Sequence, residues 1–176
     1  MVPRRNAVWA ELVQLVPIIS LAFPFIVAGK VDISRAGSGF VIGALLTIPI
    51  SAVVLLRKQL LNPILLGAGL WLCLGAVAFI VPVPPITEWL VQTQAFGLFA
   101  AALVTGIMTT LFSSHGFVAC RSTSPHWIRK ASIGLLTIAI VILCWAWVFR
   151  HNIRLGGGLP FIVLNVARRV LIQRAP

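Results

Sequence analysis

The chain has few acidic residues and no tyrosine. Only three of its 176 residues carry a carboxylate side chain, and these lie far apart, at Glu11, Asp32 and Glu88. The sequence therefore offers no two neighbouring carboxylates of the kind that act together as acid and base in catalysis. Charged residues make up 10% of the chain, well below the roughly 25% of an average soluble domain. This composition argues against a soluble protein.

Cysteine is also scarce. Cys73, Cys120 and Cys144 form no CxxC pair, so the sequence gives no support for thiol–disulfide chemistry. Cys120 lies between His115 and His126, but this spacing matches no zinc pattern, and no carboxylate completes the ligand set. The sequence therefore predicts no metal site, no cofactor and no catalytic residues. A non-enzymatic function is the expectation.

What the chain does contain is a series of long apolar runs. Apolar residues make up 60% of the sequence and the mean hydropathy is +1.05. A helix of about 20 apolar residues matches the hydrocarbon core of a bilayer. The pattern predicts an all-α membrane protein, with a bundle of about five transmembrane helices in a single polytopic domain over residues 1–176. The predicted spans are 9–29, 37–56, 61–81, 89–112 and 131–149.

Two breaks between the predicted spans have distinct compositions. Pro82, Pro84 and Pro85 predict a turn after the third span, because proline cannot continue a helix. The stretch 113–130 is predicted to be the longest loop, and to be polar.

The tail differs from the spans. We predict a basic amphipathic helix over about 159–174, with too few apolar residues to cross the membrane and with Asn165, Arg168, Arg169 and Gln173 on one face. This pattern favours an interfacial helix lying on the bilayer; a tail packed as a cap on the bundle is the alternative. The residues expected to contact anionic lipid headgroups are Arg154, Arg168, Arg169 and Arg174.

The basic residues lie at the ends of apolar runs, which points to lipid headgroups rather than nucleic acid as their partner. With five spans they divide evenly, so the positive-inside rule gives no orientation. One side would carry Arg4, Arg5, Arg57, Lys58, Arg121, Arg129 and Lys130. The other would carry Lys30, Arg35, Arg150, Arg154, Arg168, Arg169 and Arg174. We favour a cytoplasmic N-terminus, and a sixth passage or a re-entrant first segment would keep the basic tail off the outer side.

Polar groups inside apolar runs are candidates for function, because their burial in lipid is costly. Glu11 is the only carboxylate within a predicted span, with Gln14 on the same helical face. Together with Gln92 and Gln94 these residues could form an intramembrane polar site that relays a proton or cation. The alternative places Glu11 at the interface, paired with an arginine or hydrated.

Small residues predict where helices approach one another. Gly39 and Gly43 have GxxxG spacing, which permits close backbone contact within the chain or between copies of it.

Three features together resemble a known family. They are "LVPIISLAF" in the first span, the Arg57–Lys58 pair, and "NPILLGAGLWLCLGAVAFI" in the third span. This arrangement resembles small bacterial inner-membrane proteins of the intracellular septation protein A type. The resemblance implies an envelope protein that interacts with the machinery of cell elongation and division. The "GGGLPF" tail departs from the arrangement, and no site residues are carried over.

Two classes of function follow. The first is a non-enzymatic membrane component that organises or stabilises cell-envelope complexes, with the bilayer and other membrane proteins or further copies of itself as partners. The second is a small transporter or permease with a polar path near Glu11, Gln14, Gln92 and Gln94. The absence of an evident internal repeat favours the first class.

Overall fold

All secondary structure in the described part of the chain is helical. The computed structural model describes residues 14–17, 33–81, 84–120, 124–150 and 154–176. Its helices are α1 (Ile33–Leu56), α2 (Pro63–Ile80), α3 (Pro84–Phe112), α4 (Pro125–Val148) and α5 (Leu159–Gln173), with a π-helical turn (Arg154–Gly158) directly before α5. Residues 14–17 are also helical. The prediction of an all-α protein is confirmed.

Five segments within these ranges are long and apolar enough to cross a membrane. They are Gly37–Leu56, Pro63–Ile80, Ala95–Phe112, Pro125–Val148 and Leu155–Gln173. The first four occupy the positions of the predicted second to fifth spans. The prediction of a multi-pass membrane bundle is confirmed, while the first predicted span, 9–29, lies outside the described residues apart from 14–17.

The tail is more apolar than we predicted. The segment Leu155–Gln173 has 19 residues and a mean hydropathy of 1.4, which is enough by length and composition to cross a membrane. The prediction that the tail has too few apolar residues to span is therefore wrong. Five candidate spans thus lie within the described residues, and the tail is one of them.

Proline begins helices in this chain. α3 begins at Pro84, within the cluster that we interpreted as a turn, and α4 begins at Pro125. The first residues of a helix have no intrahelical partner for their N–H groups, so proline loses nothing there and its fixed φ suits the helix. Ser124 caps α4 by accepting a 3.4 Å hydrogen bond from the Trp127 N–H.

The chain divides into two compact units. Unit 1 is Met1–Gln92 and unit 2 is Thr93–Pro176, so the boundary falls within α3. Unit 1 contains α1 and α2. Unit 2 contains the apolar part of α3 together with α4 and α5.

In unit 1, glycines bring α1 and α2 into close contact. At each of four positions, a methyl group added to the glycine would crowd a side chain of the other helix. The pairs are Gly37 with Phe79, Gly75 with Phe40, Gly43 with Leu72, and Gly69 with Thr47. The numbers rise along α1 as they fall along α2, so the two helices are antiparallel. Close backbone approach at small residues is a common way for membrane helices to associate.

Candidate functional site

The fold-back segment, residues 113–120, follows α3 in unit 2, and its residues 116–119 are buried. Phe117 and Val118 are completely buried and Ala119 is 8% exposed, so the prediction of a polar loop is wrong here. Gly116 and Ala119 have positive φ, at 60° and 51°, and the segment changes direction through these residues. The Phe117 ring lies against Gly106 of α3, where an added methyl group would come within 2.8 Å of the ring.

Two buried side chains from different helices hold this segment. The Ser132 hydroxyl of α4 accepts a 3.0 Å hydrogen bond from the Phe117 N–H. Nε of Arg168, in α5, donates a 3.0 Å hydrogen bond to the Val118 carbonyl. Ser132 is completely buried and Arg168 is 5% exposed. Because an unpaired backbone group in an apolar interior is costly, these two contacts fix the position of the segment.

The charge of Arg168 also acts on a cysteine of the segment. Burial raises the pKa of the Cys120 thiol above its usual value, and the Arg168 guanidinium partly offsets this increase. The thiol is therefore protonated at neutral pH and is a poor nucleophile. Within the described part of the chain no three His, Cys, Asp or Glu side chains lie close enough together to hold a metal ion.

The four arginines expected at the lipid surface do not share one environment. Arg169 and Arg174 are exposed, whereas Arg168 is buried and bound to Val118. Arg154 lies in the π-helical turn, and its side chain is outside the described part of the structure. Arg168 thus contributes to the interior of unit 2 rather than to an exposed basic face.

The predicted polar site is only partly described. Glu11 and the side chain of Gln94 lie outside the described residues, and Gln92 is exposed on α3. Gln14 is 6% exposed, and its Oε1 accepts a 3.1 Å hydrogen bond from the Asn62 N–H. Asn62 in turn caps α2, with its Oδ1 accepting from the Ile64 N–H at 3.1 Å. Gln14 therefore contributes to a cap at the start of α2.

A small cleft adjoins Gln14 within unit 1. Pro17, Thr47, Ser51 and Leu65 are among its lining residues, and its volume is about 10 Å³. This volume is sufficient for about one water molecule.

The predicted glycine pair lies in the interior of unit 1. Gly39 is buried, and Gly43 lies against Leu72 of α2. This contact of Gly43 is therefore within the chain.

Sequence reasoning missed the fold-back segment and the side chains that hold it. One signal was available: residues 116–119 read Gly-Phe-Val-Ala, an apolar run inside a stretch that we interpreted as polar. The Asn62–Pro63 pair also matches a helix N-cap followed by proline at the first helical position. The inward position of Arg168 had no sequence signal, because Arg169 beside it is equally basic and lies outside.

Comparisons with protein-family models, with curated proteins and with solved structures found no match for this chain.

Proposed function

We propose that this chain is a non-enzymatic, multi-pass component of the bacterial inner membrane that organises or stabilises protein complexes of the cell envelope. The observation that carries the proposal is an exposed face of α4 with open space at Gly134. This α4 open face consists of Gly134, Thr137, Val141 and Cys144. Their spacing of three and four residues places them along one side of the helix.

The α4 open face can accept another membrane helix at close range. A methyl group added at Gly134 would meet no atom within 4 Å. The Thr137 hydroxyl is occupied by its own helix, since it donates a 3.1 Å hydrogen bond to the Ile133 carbonyl. Helices in lipid associate where small residues let their backbones approach, and the partner would be an envelope membrane protein or a second copy of this chain.

The buried polar side chains also support an organising role over transport. Gln14, Ser132 and Arg168 each bind a backbone group of a connecting segment in their own unit. In these positions they stabilise the connections between helices. The resemblance to septation protein A-type proteins adds the expectation that partners belong to the cell-elongation and division machinery.

Photocrosslinking in living bacteria tests the proposal. A photoreactive amino acid at position 137 should crosslink to an envelope membrane protein or to a second copy of the chain. Gly134→Leu should abolish this crosslink without lowering the thermal unfolding midpoint, because Gly134 is exposed and a Cβ added there would meet no atom within 4 Å. Ile162, exposed on α5, provides a control crosslinking position that Gly134→Leu should not affect.

Two outcomes would contradict the proposal. One is a photocrosslink at position 137 to lipid alone. The other is transport by the purified chain in vesicles that Glu11→Gln abolishes, since this would favour the polar path over an organising role.

A further inference from the structure

The two ends of α5 contact opposite ends of unit 2. In the π-helical turn directly before α5, the Leu155 carbonyl accepts a 2.9 Å hydrogen bond from Nε1 of Trp145, near the end of α4. Farther along, Arg168 binds Val118, which lies in the connection between the end of α3 and the start of α4. α5 therefore runs back along α4 in the opposite direction. An interfacial helix would lie across the end of the unit instead.

The faces of α5 are arranged as in a helix that crosses a bilayer. Its buried residues are Pro160, Leu164 and Arg168, which form one stripe at intervals of four residues. Its exposed side includes Ile162, Val163, Val166 and Val170. A helix lying among headgroups turns its basic face outward and its apolar face inward. Here a charged side chain faces the interior and apolar side chains face outward, which is the arrangement expected in hydrocarbon.

With a sixth passage, the two sides of the membrane no longer carry equal numbers of basic residues. With 9–29 as the first span, crossing by α5 moves Arg168, Arg169 and Arg174 to the side of the fourth predicted loop. Along the sequence, the 14 basic residues then divide ten to four. The positive-inside rule assigns the richer side to the cytoplasm.

If α5 crosses the membrane, four exposed cations lie at one end of unit 2. Arg129 and Lys130 lie near the start of α4, and Arg169 and Arg174 lie at the end of α5. All four are exposed. No acidic residue occurs in the sequence between 93 and 176, so the unit supplies no side-chain carboxylate to neutralise them.

We propose that α5 is a sixth membrane passage and that Arg129, Lys130, Arg169 and Arg174 form a contact surface for anionic phospholipid headgroups of the cytoplasmic leaflet. The negative potential of that leaflet attracts cations near the membrane surface. Each such cation strengthens the attraction by about fivefold at moderate salt. The inference rests on the membrane placement in the proposed function, and it is independent of the α4 open face.

Cysteine labelling in intact bacteria tests the passage. Single cysteines replace Ser114, Asn152 or Ala175 in a chain that lacks Cys73, Cys120 and Cys144. Ser114 is exposed, and position 152 falls in the sequence between the candidate spans Pro125–Val148 and Leu155–Gln173. A membrane-impermeant maleimide should label position 152, and should label positions 114 and 175 only after lysis.

Two labelling patterns would overturn the inference. Labelling of 152 and 175 together in intact cells would mean that α5 does not cross. Labelling of 114 and 175 with 152 protected would place the basic surface outside the cell.

Lipid binding tests the surface itself. The full chain in detergent is titrated with fluorescent phosphatidylglycerol, and unlabelled phosphatidylglycerol or phosphatidylcholine competes. We expect phosphatidylglycerol to compete better, and R169Q/R174Q to weaken binding by about tenfold or more. R57Q/K58Q is the matched control, because it also removes two exposed cations but from unit 1.

The outcomes of this titration separate the lipid surface from the proposed function. Equal competition by the two lipids, or equal losses in the two variants, would overturn the surface. Gly134→Leu should leave lipid binding unchanged. A chain that binds phosphatidylglycerol as expected but makes no protein crosslink at position 137 would contradict the proposed function alone.

Discussion

In unit 1 the helices α1 and α2 meet where glycines of one helix receive side chains of the other. In unit 2, by contrast, α4 and α5 are both held to the segment 113–120 by polar side chains that bind its backbone. The first kind of contact depends on volume, because closely packed atoms gain many small dispersion contacts and leave no room for an added atom. The second depends on single hydrogen bonds in an interior where a lost partner is costly.

This contrast gives each unit its own weakness. The α1–α2 contact of unit 1 should tolerate small changes in polarity but not an added methyl group at its glycines. Unit 2 should tolerate added volume on its outer faces but not the loss of one buried donor.

The largest effect is expected from Gly75→Ala. A methyl group at this position would overlap the ring of Phe40, which is 5% exposed and stacks on Phe79 with ring centroids 5.7 Å apart. Because the ring has little room to move, the substitution should destabilise the protein by about 2 kcal/mol. The midpoint of thermal unfolding in detergent should fall by about 4–8 °C.

Gly134→Ala is the matched control for Gly75→Ala. It adds the same methyl group to a helix, but into open space. The unfolding midpoint should stay level or rise slightly, since alanine is the better helix former. Equal losses in the two variants would mean that loss of glycine itself, and not the contact with Phe40, causes the destabilisation.

A smaller effect is expected from Arg168→Met. The substitution leaves the Val118 carbonyl without the donor that now binds it, at a cost of about 1–2 kcal/mol. Arg169→Met, at the exposed neighbouring position, should cost little. A loss in Arg169→Met as large as in Arg168→Met would argue that overall charge matters rather than the buried hydrogen bond.

The pKa of the Cys120 thiol responds to the charge of Arg168, and it can be measured separately from the stability of the protein. The guanidinium lowers the pKa of the thiol, so its removal should raise that pKa further. The rate of alkylation then falls at a given pH, and its pH profile moves to higher pH. Arg168→Lys keeps the charge and should largely retain the wild-type profile. A shift to lower pH in Arg168→Met would mean that the Cys120 thiol has become more exposed, and that the hydrogen bond from Arg168 to Val118 is needed to keep it partly buried.

Apolar runs predicted the membrane helices well, because length and hydropathy are properties of a continuous stretch of sequence. The range 37–56 is both a predicted span and a candidate span. Contacts between distant residues could not be read in this way. The approach of Arg168 to Val118 joins residues 50 positions apart, and it depends on how α5 packs. The starts of α3 and α4 were predictable in principle, since proline in a first helical turn is a known signal.

The smallest effect is expected from glycine substitutions at two residues that have the same backbone conformation, one in each unit. Lys58 and Ala119 both have positive φ, at 52° and 51°, a conformation that costs a residue with a side chain about 1–2 kcal/mol. Lys58 is exposed at the end of α1, where the Gln59 N–H binds the Val54 carbonyl at 3.1 Å in a Schellman-type turn. Lys58→Gly should therefore raise stability by about 1 kcal/mol.

Ala119→Gly relieves the same conformation but removes a buried methyl group, since Ala119 is only 8% exposed. Loss of that methyl group costs about 0.8 kcal/mol, so the two effects should nearly cancel. Unfolding midpoints measured side by side should rise for Lys58→Gly by about 2–4 °C and hardly change for Ala119→Gly. An equal rise in both variants would mean that the Ala119 side chain contributes nothing to unit 2, and that the fold-back segment depends on its hydrogen bonds rather than on the packing of this methyl group.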